Sequence, residues 1–442
     1  MIESILFKQV ILLSHSGLKR GDLLIENGLI KAIEPSLPEH AELIIRDKGL
    51  ALMPGVIDPH VHFRDPGLTH KEDLESGSRA AASGGVTSYF DMPNTLPTTC
   101  TLEALASKKA KAAEKSLVNY NFFMGASPSN LDELMKAENI PGIKIYVGSS
   151  TGNLLVDQED VLDLIFAKTP HLIAVHSESE RLIQEGKERY IESRNPEDHM
   201  RIRSAEAALE STKRVLHLAK KYQHRTHICH ISTADELDLL RAEKLFPLIS
   251  CEVTPQHFLL HGPEIYQKLG TLAQMNPPIR EKRHAEALWQ GLLDGCISNI
   301  ATDHAPHTLD EKALPFGKAP SGLPGIETSL PLMLNRFNQE LCTLPQLVQW
   351  MCKAPASLFS IANKGELKVG YDADLVLVDL NASKTIKREN VISKCGWSAF
   401  EGWTLKGWPV MTLVNGQPVF REGDFFESIK GKEIRINPSS SD

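Results

Sequence analysis

The sequence contains no C-x-x-C pair. Its seven cysteines (Cys100, Cys229, Cys251, Cys296, Cys342, Cys352 and Cys395) are scattered and odd in number. They read as reduced, mostly buried thiols in a cytoplasmic protein. Positive charge is also scarce: 48 Lys and Arg stand against 56 Asp and Glu, for a net charge of −8. That balance argues against nucleic acid as a partner, because a nucleic-acid binder usually carries a basic footprint. It also means that an anionic substrate must be drawn in by local positive charge, not by the field of the whole molecule. The N-terminus has no basic-then-apolar signal pattern. No apolar run approaches the ~20 residues needed to span a bilayer, so no membrane partner is expected. No Gly-x-Gly-x-x-Gly follows the first strand of the central region, which leaves a dinucleotide-binding fold with little support.

What is present is ordinary for a globular enzyme. The 442 residues, 42% hydrophobic and 24% charged, suit one large α/β domain with a smaller one. Both ends are rich in short strands. Ile5–Leu13, Asp22–Glu26 and Leu43–Asp47 are extended candidates, with a hairpin signal at Glu26-Asn-Gly28. Asp374–Asp379 reads as a strand, and Val410–Phe420 as a hairpin around Asn415-Gly416. The two ends are expected to pair into one small β-sandwich domain (1–53 and 361–442), which brings the termini together. Asn437–Asp442 reads as a tail.

The middle (54–360) alternates between strand and helix. Strands are predicted at Val56–His62, Val86–Met92, Val118–Met124, Gly142–Val147, His171–His176, Arg225–Ile231, Leu248–Val253 and Ile297–Thr302. Helix-like stretches lie between most of them, among them Leu102–Lys115, Leu131–Glu138, Asp157–Lys168, Ser204–Tyr222, Thr233–Lys244 and His284–Leu293. Eight alternations predict a (β/α)8 TIM-type barrel, with a doubly wound sheet as the weaker competitor.

On such a barrel the reactive groups sit at the C-terminal ends of the strands. The run Asp58-Pro-His-Val-His-Phe-Arg-Asp65 ends the first strand. Side chains two apart on a strand share a face, about 7 Å apart, so His60 and His62 can share a metal, with Arg64 beside them for an anion. Lys144, His176, His230 and Asp303 fall at or near the ends of later strands. This common rim is the signal, since any one of them among seventeen histidines and many carboxylates means little. Nitrogen and oxygen ligands favour zinc or a similar ion, and four histidines with an aspartate suit two ions better than one. Two cations need an anionic bridge. Lys144 has no acceptor as an ammonium, but it could bridge as a carbamate; an ordinary salt-bridged strand lysine is the alternative. His304 and His307 also read as loop residues, and His227 and His257 as core or supporting groups. Arg64 and Asn94 also fit loop caps or ion-pair members, and Ser321-Gly322 fits common loop composition. Thr151, in Gly148-Ser-Ser-Thr-Gly-Asn153, fits either a closing lid or a fixed loop.

Asp58-Pro-His-Val-His-Phe-Arg-Asp-Pro-Gly67 resembles the signature of dihydroorotases within the amidohydrolase superfamily. Lys71–Thr87, Asp91-Met-Pro-Asn-Thr95, Asn276-Pro-Pro-Ile-Arg280 and Thr302-Asp-His-Ala-Pro-His307 agree with it, over about Met53 to Glu327. Asn94 directly after Pro93 is the dihydroorotase form; allantoinases usually have Met-Pro-Leu-Asn there, and hydantoinases lack the arrangement.

The resemblance implies a zinc-dependent, reversible cyclisation of N-carbamoyl-L-aspartate to (S)-dihydroorotate plus water, a step of pyrimidine biosynthesis. It implies two zinc ions per chain: His60 and His62 on one, His176 and His230 on the other, and Asp303 at the first. A carboxylated Lys144 and a hydroxide would bridge them. Some bacterial members bridge instead with an aspartate in an Asp-Asp-Gly segment, which is absent after Lys144 here. Asp303 would carry the proton. Arg64 and Asn94, assisted by His307, would bind the α-carboxylate, while Asn276 with backbone groups of Ser321 and Gly322 would read the amide edge. Many members have Phe-Gly where Ser321-Gly322 stands. Another cyclic amidohydrolase, such as an allantoinase or hydantoinase, is the alternative enzyme. A non-catalytic partner of an aspartate carbamoyltransferase is the alternative of a different class. A homodimer is left open.

Overall fold

The computed structural model describes residues 2–46, 49–150, 154–243 and 247–437. Thr151, the candidate lid residue, lies outside them, as do Asp47, Lys244 and 438–442 of the predicted tail.

Eight parallel strands form the centre of the described residues. They are Val56–Val61, Val86–Asp91, Asn119–Phe122 continued by Met124–Gly125, Ile143–Tyr146, Ile173–His176, Thr226–Ile228, Ile249–Val253 and Asn299–Ile300. The third strand is interrupted at Phe123, whose N–H donates to the Asp91 carbonyl at 3.1 Å. The ring closes where Val61 bridges His304 and the His62 N–H donates to the His304 carbonyl at 2.8 Å. The sequences of these strands are buried without alternation, which is what a parallel sheet covered on both faces requires.

The helices between them present one apolar face inward. Ala205–Tyr222 buries Ala208, Thr212, Val215, Leu216 and Ala219 at three- and four-residue spacing. The Ser204 hydroxyl accepts from the Ala207 N–H to start that helix, and Gln223 ends it in the left-handed conformation.

Both ends of the chain build a second unit. Ser4–Ser14, Gly17–Glu26, Leu29–Glu34, Leu43–Arg46 and Ala51–Pro54 share one nine-stranded mixed sheet with Leu375–Thr385, Thr404–Val414, Gln417–Arg421 and Asp424–Phe425. The seam is the antiparallel pairing of Leu52 with Leu377 and of Pro54 with Leu375. The sandwich has its own core of Phe7, Val10, Leu23, Ile25, Leu375 and Met411. The predicted turn at Asn415-Gly416 joins paired Val414 and Gln417, and both turn residues have positive φ (50° and 75°), the two-residue turn that matches strand twist.

The observed strands are shorter than the sequence suggests at the C-terminal rim. The sixth stops at Ile228, not Ile231, and the eighth at Ile300, not Thr302. The physical reason is local. His230 (φ 35°) and Asp303 (φ 46°) leave the ladder in the left-handed region, as does Arg64 (φ 64°) after the first strand. Such positions cost on the order of 1–3 kcal/mol each for a residue with a Cβ, and they turn the side chain out of the pleat toward the rim.

Candidate active site

One pocket opens at that rim. It is lined by His60, His62, Arg64, Asn94, Lys144, His176, His230, Asn276, Asp303, Ser321 and Gly322, together with Tyr146, Ser150 and Ala305. Seven different barrel strands and their following loops contribute these groups, so the fold and not the local sequence assembles them. His307 is placed differently. It is fully buried behind the wall, with Nε2 3.2 Å from an Arg64 guanidinium nitrogen and 3.1 Å from the Ser321 carbonyl.

His60 and His62 are each held through Nδ1. His60 Nδ1 lies 2.6 Å from Glu252 Oε1, and His62 Nδ1 lies 2.7 Å from Asn94 Oδ1. An Nδ1–H that donates to oxygen leaves the Nε2 lone pair to face the site. Those two Nε2 atoms lie 3.3 Å and 3.0 Å from Asp303 Oδ1. Burial, with the charge of Lys144, pushes His60 down to about 4. Burial by itself would raise the Asp303 carboxyl, but His60, His62 and Lys144 hold it well below the usual carboxylate range. The short contacts of His60 and His62 Nε2 with one Asp303 oxygen call for positive charge between them, either a proton on a ring nitrogen or a metal ion.

Across the pocket His176 Nδ1 lies 3.1 Å from His230 Nε2, and His176 Nε2 lies 2.9 Å from Glu178. His230 Nδ1 is buried and has no hydrogen-bond partner among the described residues. Burial, His176 and Lys144 push the His230 ring well below its ordinary value. Ligand atoms of His60, His230 and Asp303 all lie within 4.8 Å of one another, as do those of His60, Cys229 and Glu252. The residues thus fit a metal centre: imidazoles, an ionised carboxylate, and carboxylates behind the rings. Lys144 is fully buried with its Nζ 3.0 Å from Cys229 Sγ.

The rest of the lining is polar and carries one guanidinium. Arg64 is buried, and its Nε donates to the Pro306 carbonyl at 3.1 Å. Among the described residues no carboxylate forms an ion pair with this guanidinium. Asn276 Oδ1 lies 3.1 Å from His199 Nε2. Gly322 adopts φ 147°, and a Cβ there would come within 2.4 Å of the Ala305 carbonyl oxygen, so only glycine lets this wall approach the eighth strand's loop.

Three groups escaped the sequence reading, two of them although a period-two signal was available. Tyr146 is two places after Lys144, and its hydroxyl is buried without a partner among the described residues. Glu178 is two places after His176. Glu252 sits inside the seventh strand and also binds His227 Nε2 at 3.1 Å, which makes His227 a supporting group. His257 is a core residue between Thr254 and the Pro277 carbonyl.

Comparison with known proteins agrees with this geometry. The amidohydrolase family model matches residues 51–419. The dihydroorotase of Methanosarcina acetivorans is 34% identical over 437 residues, covering 95% of this chain and 92% of the relative. The dihydroorotase of Anoxybacillus flavithermus is 36% identical over 441 residues, covering 95% and 99%. Among solved structures, the L-hydantoinase (dihydropyrimidinase) from Arthrobacter aurescens superposes with a TM-score of 0.94 at 30% identity, covering 98% of this chain and all of that one. A barrel rim of metal-capable histidines, a composite terminal sheet and a family match across most of the sequence lead to one assignment: the chain belongs to the amidohydrolase family.

Proposed function

We propose that the chain is a dihydroorotase, closing N-carbamoyl-L-aspartate to (S)-dihydroorotate and water and catalysing the reverse hydrolysis. The observation that carries this reading beyond the names of the relatives is Arg64. A buried guanidinium on the pocket wall, paired with no carboxylate among the described residues, suits a substrate that brings its own. Dihydroorotate has a ring carboxylate; hydantoin and allantoin do not. Asn94, whose side-chain oxygen holds His62, lines the same pocket as Arg64.

The metal centre supported by the donor set would take His60, His62 and Asp303 on one zinc ion and His176 and His230 on a second, with Lys144 carboxylated and shared between them. A metal held there acts as a Lewis acid on the ring carbonyl and makes water a competent nucleophile at neutral pH. The chain's own residues do the rest. Asp303, ionised and on the pocket wall, accepts the proton released as water adds to the amide carbon. It returns that proton to the ring nitrogen as the carbon–nitrogen bond breaks. In the synthetic direction it removes a proton from the carbamoyl nitrogen. Arg64 and Asn94 orient the substrate by its carboxylate, and Asn276 with the Ser321-Gly322 backbone meets the amide edge.

Initial rates on dihydroorotate, allantoin and hydantoin, measured side by side on metal-loaded protein, test the reading. Preference for dihydroorotate by at least tenfold in kcat/KM is expected. Faster turnover of either neutral ring, as the hydantoinase fold likeness allows, would replace it.

A further inference from the structure

Lys312 is a buried cation that the chemistry above does not use. It is fully buried at the end of the short helix Leu309–Lys312, nine residues beyond Asp303. Its ammonium donates to three backbone carbonyls: Gln274 at 2.9 Å, Pro320 at 3.0 Å and Gly322 at 3.2 Å. Three N–H donors meet three acceptors, the full capacity of a lysine. Among the described residues no carboxylate pairs with it, and Arg64 is the nearby charge. Burial pushes the group down to about 7, so the site is a costly one for a charge. An apolar side chain of similar length would fill the space but would leave the Pro320 and Gly322 carbonyls without this donor, so packing alone does not account for a lysine here.

The carbonyls explain it. Pro320 and Gly322 flank Ser321, and Gln274 lies two places before Asn276. Ser321, Gly322 and Asn276 are the pocket residues assigned to the amide edge of the substrate. The Gly322 N–H also donates to the Gln274 carbonyl at 2.9 Å, so that one oxygen joins both segments and the ammonium. A planar trans peptide with its C=O fixed has its N–H fixed in the opposite direction. Holding the Pro320 carbonyl therefore sets where the Ser321 N–H points.

We propose that Lys312 is a positioning residue that ties the 274–276 and 320–322 segments together and thereby sets the amide-reading side of the pocket. This rests on the substrate orientation given under the proposed function. Loss of the tie should weaken recognition of the ring amide while leaving carboxylate recognition and the metal centre intact.

The test is Lys312→Met and Lys312→Arg in the metal-loaded full chain, with metal content and thermal unfolding measured beside kinetics. Expected in both is a KM for dihydroorotate raised at least tenfold, with kcat within threefold of the parent and metal content unchanged. Inhibition by succinate, a dicarboxylate without an amide, should shift by less than twofold. A guanidinium cannot reproduce the three-way grip of an ammonium, so Arg is not expected to rescue. If Met does not fold, the Arg variant carries the test alone. An unchanged KM in a folded variant, or succinate inhibition weakened as much as KM, overturns the proposal. Should the parent prefer hydantoin or allantoin, the function reading fails, and the same KM split is then read on the preferred ring.

Discussion

His60 Nδ1 lies 2.6 Å from one oxygen of Glu252, and the other oxygen of that carboxylate lies 3.1 Å from His227 Nε2. The carboxylate thus spans the sixth and first strands across the seventh and fixes the tautomer that turns His60 Nε2 to the pocket. Burial by itself would raise Glu252, but its two histidine partners hold it well below the usual carboxylate range. Glu252→Gln keeps the shape but weakens the acceptor. It should lower metal affinity by about 10- to 100-fold, as loss of such supporting partners does elsewhere. Metal retained after dialysis against a chelator gradient reads this directly, and added metal should restore much of the activity. Unchanged retention would remove Glu252 from the metal centre.

Asp303 is the proposed proton carrier, and its oxygen stands within reach of two histidine nitrogens. Asp303→Asn preserves volume and one ligand oxygen but cannot take a proton. The variant should retain most of its metal while kcat falls by about 10²–10⁴, the usual worth of a positioned acid–base group. Near-parental kcat in a metal-loaded Asn variant would assign proton transfer elsewhere.

Arg64 can be separated from the ring-opening chemistry by changing the substrate. Arg64→Met should raise KM for dihydroorotate by roughly 10- to 100-fold, since hydrogen bonds to a charged group are worth about 1.5–3 kcal/mol. Any residual rate on hydantoin should be nearly unaffected. Lys in place of Arg restores charge without the planar fork and should recover only part of the loss. Equal losses on both substrates would show that Arg64 supports the pocket instead of reading the carboxylate.

Much of this architecture was legible in the sequence because the signals were periodic. Eight buried runs separated by helical patterns gave the barrel, and Asn-Gly between alternating strands gave the terminal hairpins. His60, His62, Lys144, His176 and Asp303 stood out because strand ends on a barrel converge. Lys312 carried no such signal: its role depends on three carbonyls from segments 8 to 38 residues away, which no local pattern encodes. His307 shows the same limit from the other side. Its motif placed it near the substrate, but the turn after Asp303 sends its ring behind Arg64. Glu178, Glu252 and Tyr146 were readable in principle, two places from recognised residues or inside a recognised strand. Acidic and aromatic residues in strands are too common to be singled out before their partners are known.

Glu327 offers a pH test of stability away from the metal centre. Partial burial, with Glu72 nearby, raises its carboxyl to about 7, while the Ile392 N–H donates to it at 2.8 Å. Between the unfolded value near 4.5 and about 7, the folded chain keeps a proton that the unfolded chain has released. Stability from this group is therefore fully present below about 4.5, falls as pH rises through about 7, and levels off above it. The contribution is on the order of 1–3 kcal/mol. Glu327→Gln cannot ionise, so the difference in Tm between variant and parent should grow in the variant's favour by a few degrees from pH 5 to pH 8. Taking the difference cancels groups that titrate equally in both proteins. A Tm difference that stays flat, or that shrinks with rising pH, would mean that Glu327 is already ionised in the folded chain and that the 391–393 backbone stabilises its charge.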